Sequence, residues 1–163
     1  MIVQLDAEEI TIWFLAFHKK CLSPFWQRVI PGKYKHVNAF GWSERAQVWV
    51  YYDCGFHGTR VIVCPPGPKA DQQLERWMAG ADVLRVSQKL KRERPIYAFR
   101  FFHLCTTAMR HLCDISGGAL LPDGLWVDCL RENAKVIFHD DSRSSGTNPR
   151  PDIGCPDQRG QCG

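Results

Sequence analysis

The segment from residue 35 to residue 53 constrains the fold of this chain more than any other part. Small, mostly apolar side chains alternate with polar and aromatic ones over His36–Trp42 and again over Gln47–Asp53, and Glu44-Arg45 lies between the two stretches. Successive side chains of a β-strand point to opposite faces of the sheet, so such alternation is typical of strands with two different faces. The pattern predicts an antiparallel hairpin with its turn centred on Glu44-Arg45.

The two faces of this hairpin differ in chemistry. One face is small and mostly apolar, which suits a core: Val37, Ala39, Gly41, Val48, Val50 and Tyr52. The other is aromatic and polar, which is typical of a cleft wall or a lid contact: His36, Asn38, Phe40, Trp42, Gln47, Trp49, Tyr51 and Asp53. With this turn, His36 lies directly opposite Asp53, within side-chain reach.

The remaining elements predict an α+β fold, in which an antiparallel sheet packs against a helix that carries Cys105. Further strands are expected at Thr11–Phe17 (alternatively a helix over Ala7–Lys19), Thr59–Cys64, Val83–Leu90 and Ile96–Phe102. Helices are expected from Pro24 to Val29, over Lys69–Met78, from Cys105 to Cys113 and from Pro122 onward. We predict one domain over residues 1–138 and a flexible tail over 139–163, which is polar and rich in glycine, serine and proline.

Composition narrows the class of protein. The 163 residues are 45% hydrophobic and 23% charged, as in globular proteins, and include eight cysteines. No signal peptide or bilayer-length apolar run is recognisable, so we expect a reducing, cytoplasmic setting in which most of the cysteines are thiols. The net charge of +4 is mild and no nucleic-acid-reading motif accompanies it, so nucleic acid is not an expected partner. Motifs for nucleotide hydrolysis, serine hydrolysis and zinc proteolysis are absent, and we predict no cofactor.

Cys105 is the candidate nucleophile. It lies where an aromatic strand is expected to give way to a helix, and the unpaired N–H groups and dipole of a helix N-terminus stabilise a thiolate. The competing interpretation is that Cys105 is a core residue, since cysteine is among the most buried residue types. Cys113 and Cys129 lie on apolar helix faces and are expected in the core.

His36 is the candidate base that would exchange a proton with Cys105. It lies on the polar and aromatic face of the hairpin, where Asp53 could orient its ring and Gln47 is an alternative for that role. His103 is a rival base, but its place two residues before Cys105 gives a poor approach to the sulfur. A structural role for His36 is the competing interpretation.

A zinc site would use the same residue types. Cys54, His57 and Cys64 supply three soft ligands, and Cys155 and Cys162 lie in the predicted tail. The chain has no Cys-x-x-Cys pair and the spacings are irregular, so we predict no metal.

Several motifs together resemble one protein superfamily. They are Lys35-His36-Val37-Asn38-Ala39-Phe40, Tyr51-Tyr52-Asp53, Cys105-Thr106-Thr107-Ala108-Met109, Leu112-Cys113-Asp114-Ile115 and Ala119-Leu120-Leu121-Pro122-Asp123-Gly124-Leu125-Trp126. Over residues 11–132 the chain resembles circularly permuted papain-like proteins of the NlpC/P60 superfamily, which includes lecithin retinol acyltransferase-like proteins, and is similar to small members encoded by bacteriophages. In this permuted group the histidine strand precedes the cysteine, as His36 precedes Cys105.

The resemblance implies a permuted papain-like fold with Cys105 as nucleophile, His36 as base and Asp53 or Gln47 as the third polar residue. It also implies a thiol peptidase or amidase acting on a peptide such as a cell-wall peptide, or an acyltransferase acting on a lipid. The alternative is a non-enzymatic binding or virion-associated module with phage structural proteins as partners. The expected location is the cytoplasm of a bacterial host or the virion.

Overall fold

The computed structural model describes residues 10–20, 24–55, 58–88 and 104–139 of the chain. Its elements in order are β1 (Ile12–His18), α1 (Pro24–Val29), β2 (His36–Ser43), β3 (Val48–Gly55), β4 (Gly58–Cys64), α2 (Pro68–Met78), β5 (Ala81–Ser87), α3 (Cys105–Cys113), α4 (Pro122–Arg131) and β6 (Lys135–Phe138). The strands form one six-stranded sheet in the order β4-β3-β2-β1-β5-β6, and every neighbouring pair is antiparallel. The α+β class is therefore confirmed.

Strand β1 lies inside the sheet, between β2 and β5. Leu15, Ala16 and Phe17 are fully buried, because a strand in this position is covered on both faces. Continuous apolar character is typical of such a strand. The strand prediction for this segment is confirmed, and the helical alternative is wrong.

Each face of the sheet has its own hydrophobic core. On the first face, α3 and α4 supply Met109, Cys113, Leu125 and Cys129, which pack against β1, β2, β3 and β5. The predicted core positions of Cys113 and Cys129 are confirmed. No helix in the described parts of the chain has the length and apolar character needed to cross a bilayer.

The second core corrects the prediction of an aromatic cleft wall. Phe40, Trp49 and Tyr51 are buried against Leu74 and Trp77 of α2, and the Tyr51 hydroxyl donates to the carbonyl of Ala70 at 3.1 Å. The helical pattern of residues 69–78 indicated an amphipathic helix. It did not indicate that this helix would cover the aromatic face of the hairpin.

The hairpin turn lies further along the chain than predicted. Trp42 pairs with Trp49 and Ser43 with Val48, which centres the turn on Arg45-Ala46. Gln47 has a left-handed φ of 52°, which ends the turn immediately before β3. The prediction that His36 lies directly opposite Asp53 is wrong, because the pairing is displaced by two residues. A displacement of two keeps every side chain on its predicted face, so the two residues become diagonal neighbours.

The loop before β2 is held by α4. The Asp123 carboxylate accepts the backbone N–H groups of Lys33 and Tyr34, each at 2.7 Å. Gly32, with φ +92°, approaches Asp123 so closely that a Cβ atom there would overlap the carboxylate. These contacts determine where the chain enters β2, and therefore where His36 lies.

A buried carboxylate joins the strand ends near the same loop. Asp82, at the start of β5, is fully buried and accepts the Tyr34 hydroxyl at 2.6 Å and the Lys33 ammonium at 2.7 Å. Lys19 and His139 also contact it, at 3.3 and 3.2 Å. His139 is the first residue of the predicted tail and is held by this contact, whereas residues 140–163 lie outside the described residues.

Candidate functional site

Three predicted site residues meet at one end of the sheet. His36 is the first residue of β2, Asp53 lies near the end of β3, and Cys105 is the first residue of α3. Because β2 and β3 are antiparallel neighbours, the start of one lies beside the end of the other. Helix α3 contacts both strands, and its first residue lies close enough to the start of β2 for His36 and the Val37 backbone to act on the Cys105 thiol.

The His36 ring is bound by Asp53. Nε2 of His36 lies 2.8 Å from Oδ1 of Asp53, and the two side chains are 25% and 36% exposed. An ionised carboxylate only accepts hydrogen bonds, so Nε2 carries the proton in this contact. The other ring nitrogen, Nδ1, is left for Cys105.

The Cys105 thiol lies against the start of β2. The His36 ring and the backbone N–H of Val37 both act electrostatically on its sulfur, and the Thr106 hydroxyl lies 4.0 Å from it. Leu104 precedes the helix in an extended conformation, without a side-chain cap, and the first helical bond runs from the N–H of Ala108 to the carbonyl of Leu104. The backbone N–H groups that precede Ala108 in the first helical turn have no hydrogen-bond partner within the helix. They point out of the N-terminal end of α3, where Cys105 lies.

The electrostatics favour a charged pair. Burial by itself raises the pKa of Cys105, but His36, Val37 and the Thr106 hydroxyl together hold it below its usual value. Burial by itself lowers the pKa of His36, whereas Asp53 and Cys105 raise it to about 10. Burial raises the pKa of Asp53, and its bond to His36 outweighs this and lowers it. The three shifts therefore all act in the direction of a thiolate, an imidazolium and a carboxylate.

Two other thiols show the contrast. Burial raises the pKa of Cys113 far above its usual value, with Cys129 adding to the effect, and burial raises the pKa of Cys129 to about 12. Both side chains are enclosed in the first core. Because the thiolate is the nucleophilic form, we expect these two cysteines to be poor nucleophiles.

Sequence reasoning missed a second histidine at this site. His18 of β1 pairs directly with His36, and their ring centroids lie 6.1 Å apart. Nδ2 of Asn38 lies 3.1 Å from Nε2 of His18. The polar residues at the end of an otherwise apolar β1 were the available signal, but their proximity to His36 depends on the β1–β2 pairing.

The other candidates lie elsewhere. Gln47 is exposed in the hairpin turn and donates to the carbonyl of Glu44, so it does not orient His36. Cys54 pairs in the sheet with Thr59 and Cys64 with Trp49, which places them far apart along the strands. No group of three or more His, Cys, Asp or Glu side chains in the described residues could hold a metal ion. His57 and His103 lie outside those residues.

Comparisons with protein-family models, with curated proteins and with solved structures found no match to this chain.

Proposed function

We propose that this protein is a cysteine hydrolase or acyltransferase in which Cys105 is the nucleophile, His36 the acid and base, and Asp53 the residue that orients His36. The observation that carries the proposal is the 2.8 Å contact between His36 and Asp53, together with the electrostatic coupling of the Cys105 thiol to the same His36 ring. A base bound on one side to a nucleophile and on the other to an orienting group is the arrangement of covalent acyl-transfer catalysts. The order of His36 before Cys105 supports a relation to permuted papain-like proteins.

The first half of the reaction acylates the enzyme. The Cys105 thiolate attacks the carbonyl carbon of the substrate, an S–C bond forms, and the π electrons of the carbonyl move to its oxygen. As the tetrahedral intermediate collapses, the bond from carbon to the leaving nitrogen or oxygen breaks. The His36 imidazolium gives its Nδ1 proton to that leaving group.

The second half releases the acyl group. Water, or the hydroxyl or amine of an acceptor, attacks the thioester carbonyl and gives its proton to the neutral His36. The C–S bond then breaks and returns the thiolate beside an imidazolium. Asp53 holds Nε2–H throughout, so the ring stays oriented with Nδ1 towards the sulfur.

In the tetrahedral intermediate the former carbonyl oxygen of the substrate carries a negative charge, and hydrogen-bond donors at the start of α3 would stabilise it. The N–H groups of the first helical turn have no helical partner, and the helix dipole adds positive potential there. Donors held in place before the reaction stabilise such an oxyanion without reorganisation. The nucleophile and its oxyanion donors would thus come from the same helix terminus.

The experiment measures the reaction of each thiol with iodoacetamide between pH 5 and pH 9, a range spanning the ordinary thiol pKa of about 8.5, with peptide mapping by mass spectrometry. Cys105 is expected to react faster than the partly buried Cys64 at neutral pH, because a lowered pKa increases the fraction of Cys105 present as the thiolate. His36→Gln is expected to slow Cys105 at pH 6 by about tenfold or more, which corresponds to a rise of at least one pKa unit. His111→Gln changes an exposed histidine of the same helix and should leave the rate unchanged.

A second measurement tests catalysis itself. With 4-nitrophenyl acetate as the acyl donor, the wild type should release a burst of nitrophenol and form a mass adduct on Cys105, whereas Cys105→Ala should do neither. If Cys105 reacts no faster than Cys64 and no acyl adduct forms, the proposal is wrong. The alternative of a non-enzymatic virion or binding module loses its main support, because the aromatic face on which it rested is buried under α2.

A further inference from the structure

The proposed mechanism leaves the half-buried imidazole of His18 unused. His18 lies directly across β1 and β2 from His36, on the same face of the sheet, with 6.1 Å between ring centroids. Asp53 of β3 and His36 of β2 are the charged or titratable groups that act on it. Because like charges repel, protonation of one of these two imidazoles lowers the pKa of the other, so the Asp53 carboxylate favours a single positive charge shared by the pair.

The contact between Asn38 and His18 favours a neutral His18 ring. Its side chain is on the same face of β2 as His36, is only 6% exposed, and lies 3.1 Å from Nε2 of His18 through Nδ2. An amide N–H can donate to Nε2 only when that nitrogen carries no proton. In this arrangement His18 is neutral, with its proton on Nδ1.

The same side chain carries an energetic cost. Oδ1 of Asn38 is buried and has no hydrogen-bond partner among the described residues. A buried acceptor without a partner costs about 1–3 kcal/mol, and a leucine of similar shape would avoid that cost. The interaction that the amide does make is the one with His18.

We propose that Asn38 and His18 are positioning residues: Asn38 donates to Nε2 and keeps His18 neutral, so that the positive charge of the cluster rests on His36 beside Cys105. The inference rests on the proposed function, because it explains how His36 remains the charged partner of the nucleophile. The protonation state of His18 can nevertheless be measured in the absence of any reaction. Burial, and then the proximity of His36, lower the pKa of His18, and they outweigh the hydrogen bond with Asn38 and the Asp53 carboxylate, which act in the opposite direction. A hydrogen bond with Asn38 raises that pKa only where the ring donates to the amide oxygen; with Nδ2 facing Nε2, the amide N–H favours the neutral ring.

The experiment reads the ring nitrogens directly. Long-range proton–nitrogen correlation spectra distinguish a neutral ring protonated at Nδ1, a neutral ring protonated at Nε2, and a charged ring. In uniformly labelled wild type at pH 7, His18 is expected to be neutral with the proton on Nδ1, and His36 to be charged; His18→Gln and His36→Gln assign the signals. A charged His18, or a neutral His18 with the proton on Nε2, would overturn the proposal. In Asn38→Leu the single tautomer of His18 should give way to a mixture, and an unchanged tautomer would show that Asn38 does not fix it.

Two substitutions at position 18 test the coupling to His36. His18→Gln keeps the position neutral and should leave the pKa of His36, measured by the same spectra, within a few tenths of a unit of wild type. His18→Lys places a fixed charge there and should lower that pKa by about one unit or more, as expected for like charges about 6 Å apart at a partly buried site. The alkaline limb of 4-nitrophenyl acetate turnover should shift with it. An unchanged His36 in His18→Lys, or an equal shift in His18→Gln, would contradict the proposal.

The two failures are distinguishable. If Cys105 proves unreactive while His18 is neutral, the proposed function fails and the charge assignment stands. If Cys105 is reactive while His18 is charged, only the role of Asn38 and His18 fails. The wild-type spectrum needs no substitution, so it gives an answer even where a variant does not fold.

Discussion

At the scale of single residues, Asp53 favours the form of the Cys105–His36 pair in which the thiol is a thiolate and the imidazole an imidazolium. Its carboxylate binds Nε2 of His36 at 2.8 Å, and this contact helps to raise the pKa of His36 to about 10. Asp53→Asn keeps a side chain of the same shape but removes its negative charge. We expect the pKa of His36 to fall and the pKa of Cys105 to rise by about one unit, a modest change because the site is partly exposed to solvent. The alkylation of Cys105 at pH 6 should then slow by about tenfold.

The control for this substitution is Asp71→Asn. Asp71 is exposed in the first turn of α2 and is not among the groups that act on the pKa of His36, Asp53 or Cys105. It should leave the alkylation rate of Cys105 unchanged. An Asp53→Asn protein that retains the wild-type rate would show that the carboxylate does not support the imidazolium.

The proximity of His36 and Asp53 was predictable because it depends only on the face of the hairpin to which each side chain points. His36 and Asp53 share a face in any register that preserves strand alternation, so an error of two residues in pairing did not separate them. The link from Asn38 to His18 was beyond the same reasoning. It joins β1 to β2 across 20 residues, and only the strand pairing reveals it.

At the scale of elements, the entry into β2 depends on a contact between a loop and a helix. Gly32 has φ +92°, and a Cβ atom there would overlap the Asp123 carboxylate that holds the N–H groups of Lys33 and Tyr34. Gly32→Ala should therefore lower the free energy of unfolding by more than about 1 kcal/mol, because both the backbone conformation and the contact oppose the side chain. Urea unfolding measures the loss.

Gly118→Ala is the matched control for Gly32→Ala. No atom lies within reach of a Cβ at Gly118, and its φ is outside the left-handed region. It should change the free energy of unfolding by less than about 0.5 kcal/mol. Equal effects of the two substitutions would show that the contact with Asp123 does not constrain the loop.

Elements were predictable where local pattern decides them, and their packing was not. The spacing of Leu74, Trp77 and Met78 indicated a helix, and α2 forms there. Whether an aromatic strand face becomes a cleft or a core depends on which helix lies over it. That is set by contacts between distant segments, such as the Tyr51 hydroxyl with the carbonyl of Ala70.

At the scale of the molecule, the strand order could not be read from the chain. The sheet places β1 between β2 and β5, although β5 follows β1 by more than sixty residues. The apolar run of β1 indicated burial on both faces but did not name its neighbours. This order brings His18 beside His36 and places Asp82 where β1, β5 and the segment after β6 meet.

The charged pair should also be visible in the stability of the whole protein. A raised pKa for His36 contributes stability that is fully present below pH 6.5 and is lost as the pH rises towards about 10. A lowered pKa for Cys105 contributes stability that is present above the ordinary thiol pKa of about 8.5 and is lost as the pH falls. A pair held as thiolate and imidazolium binds the same number of protons between these limits as the unfolded pair, because the imidazole has gained the proton that the thiol has lost. The two slopes cancel there.

We therefore expect the pair to contribute no pH dependence to the free energy of unfolding between about pH 6.5 and pH 8.5. Cys105→Ser removes the thiolate and leaves His36 held by Asp53 alone, so the remaining slope is that of His36. In this variant, stability should fall relative to wild type as the pH rises through the same window. Cys64→Ser, which changes a partly buried thiol on β4, should keep the wild-type slope. Urea unfolding at four pH values in this window measures the three proteins. If Cys105→Ser and wild type follow parallel curves, the pair is a neutral thiol and a neutral imidazole, since only a transferred proton changes the slope when the sulfur is removed.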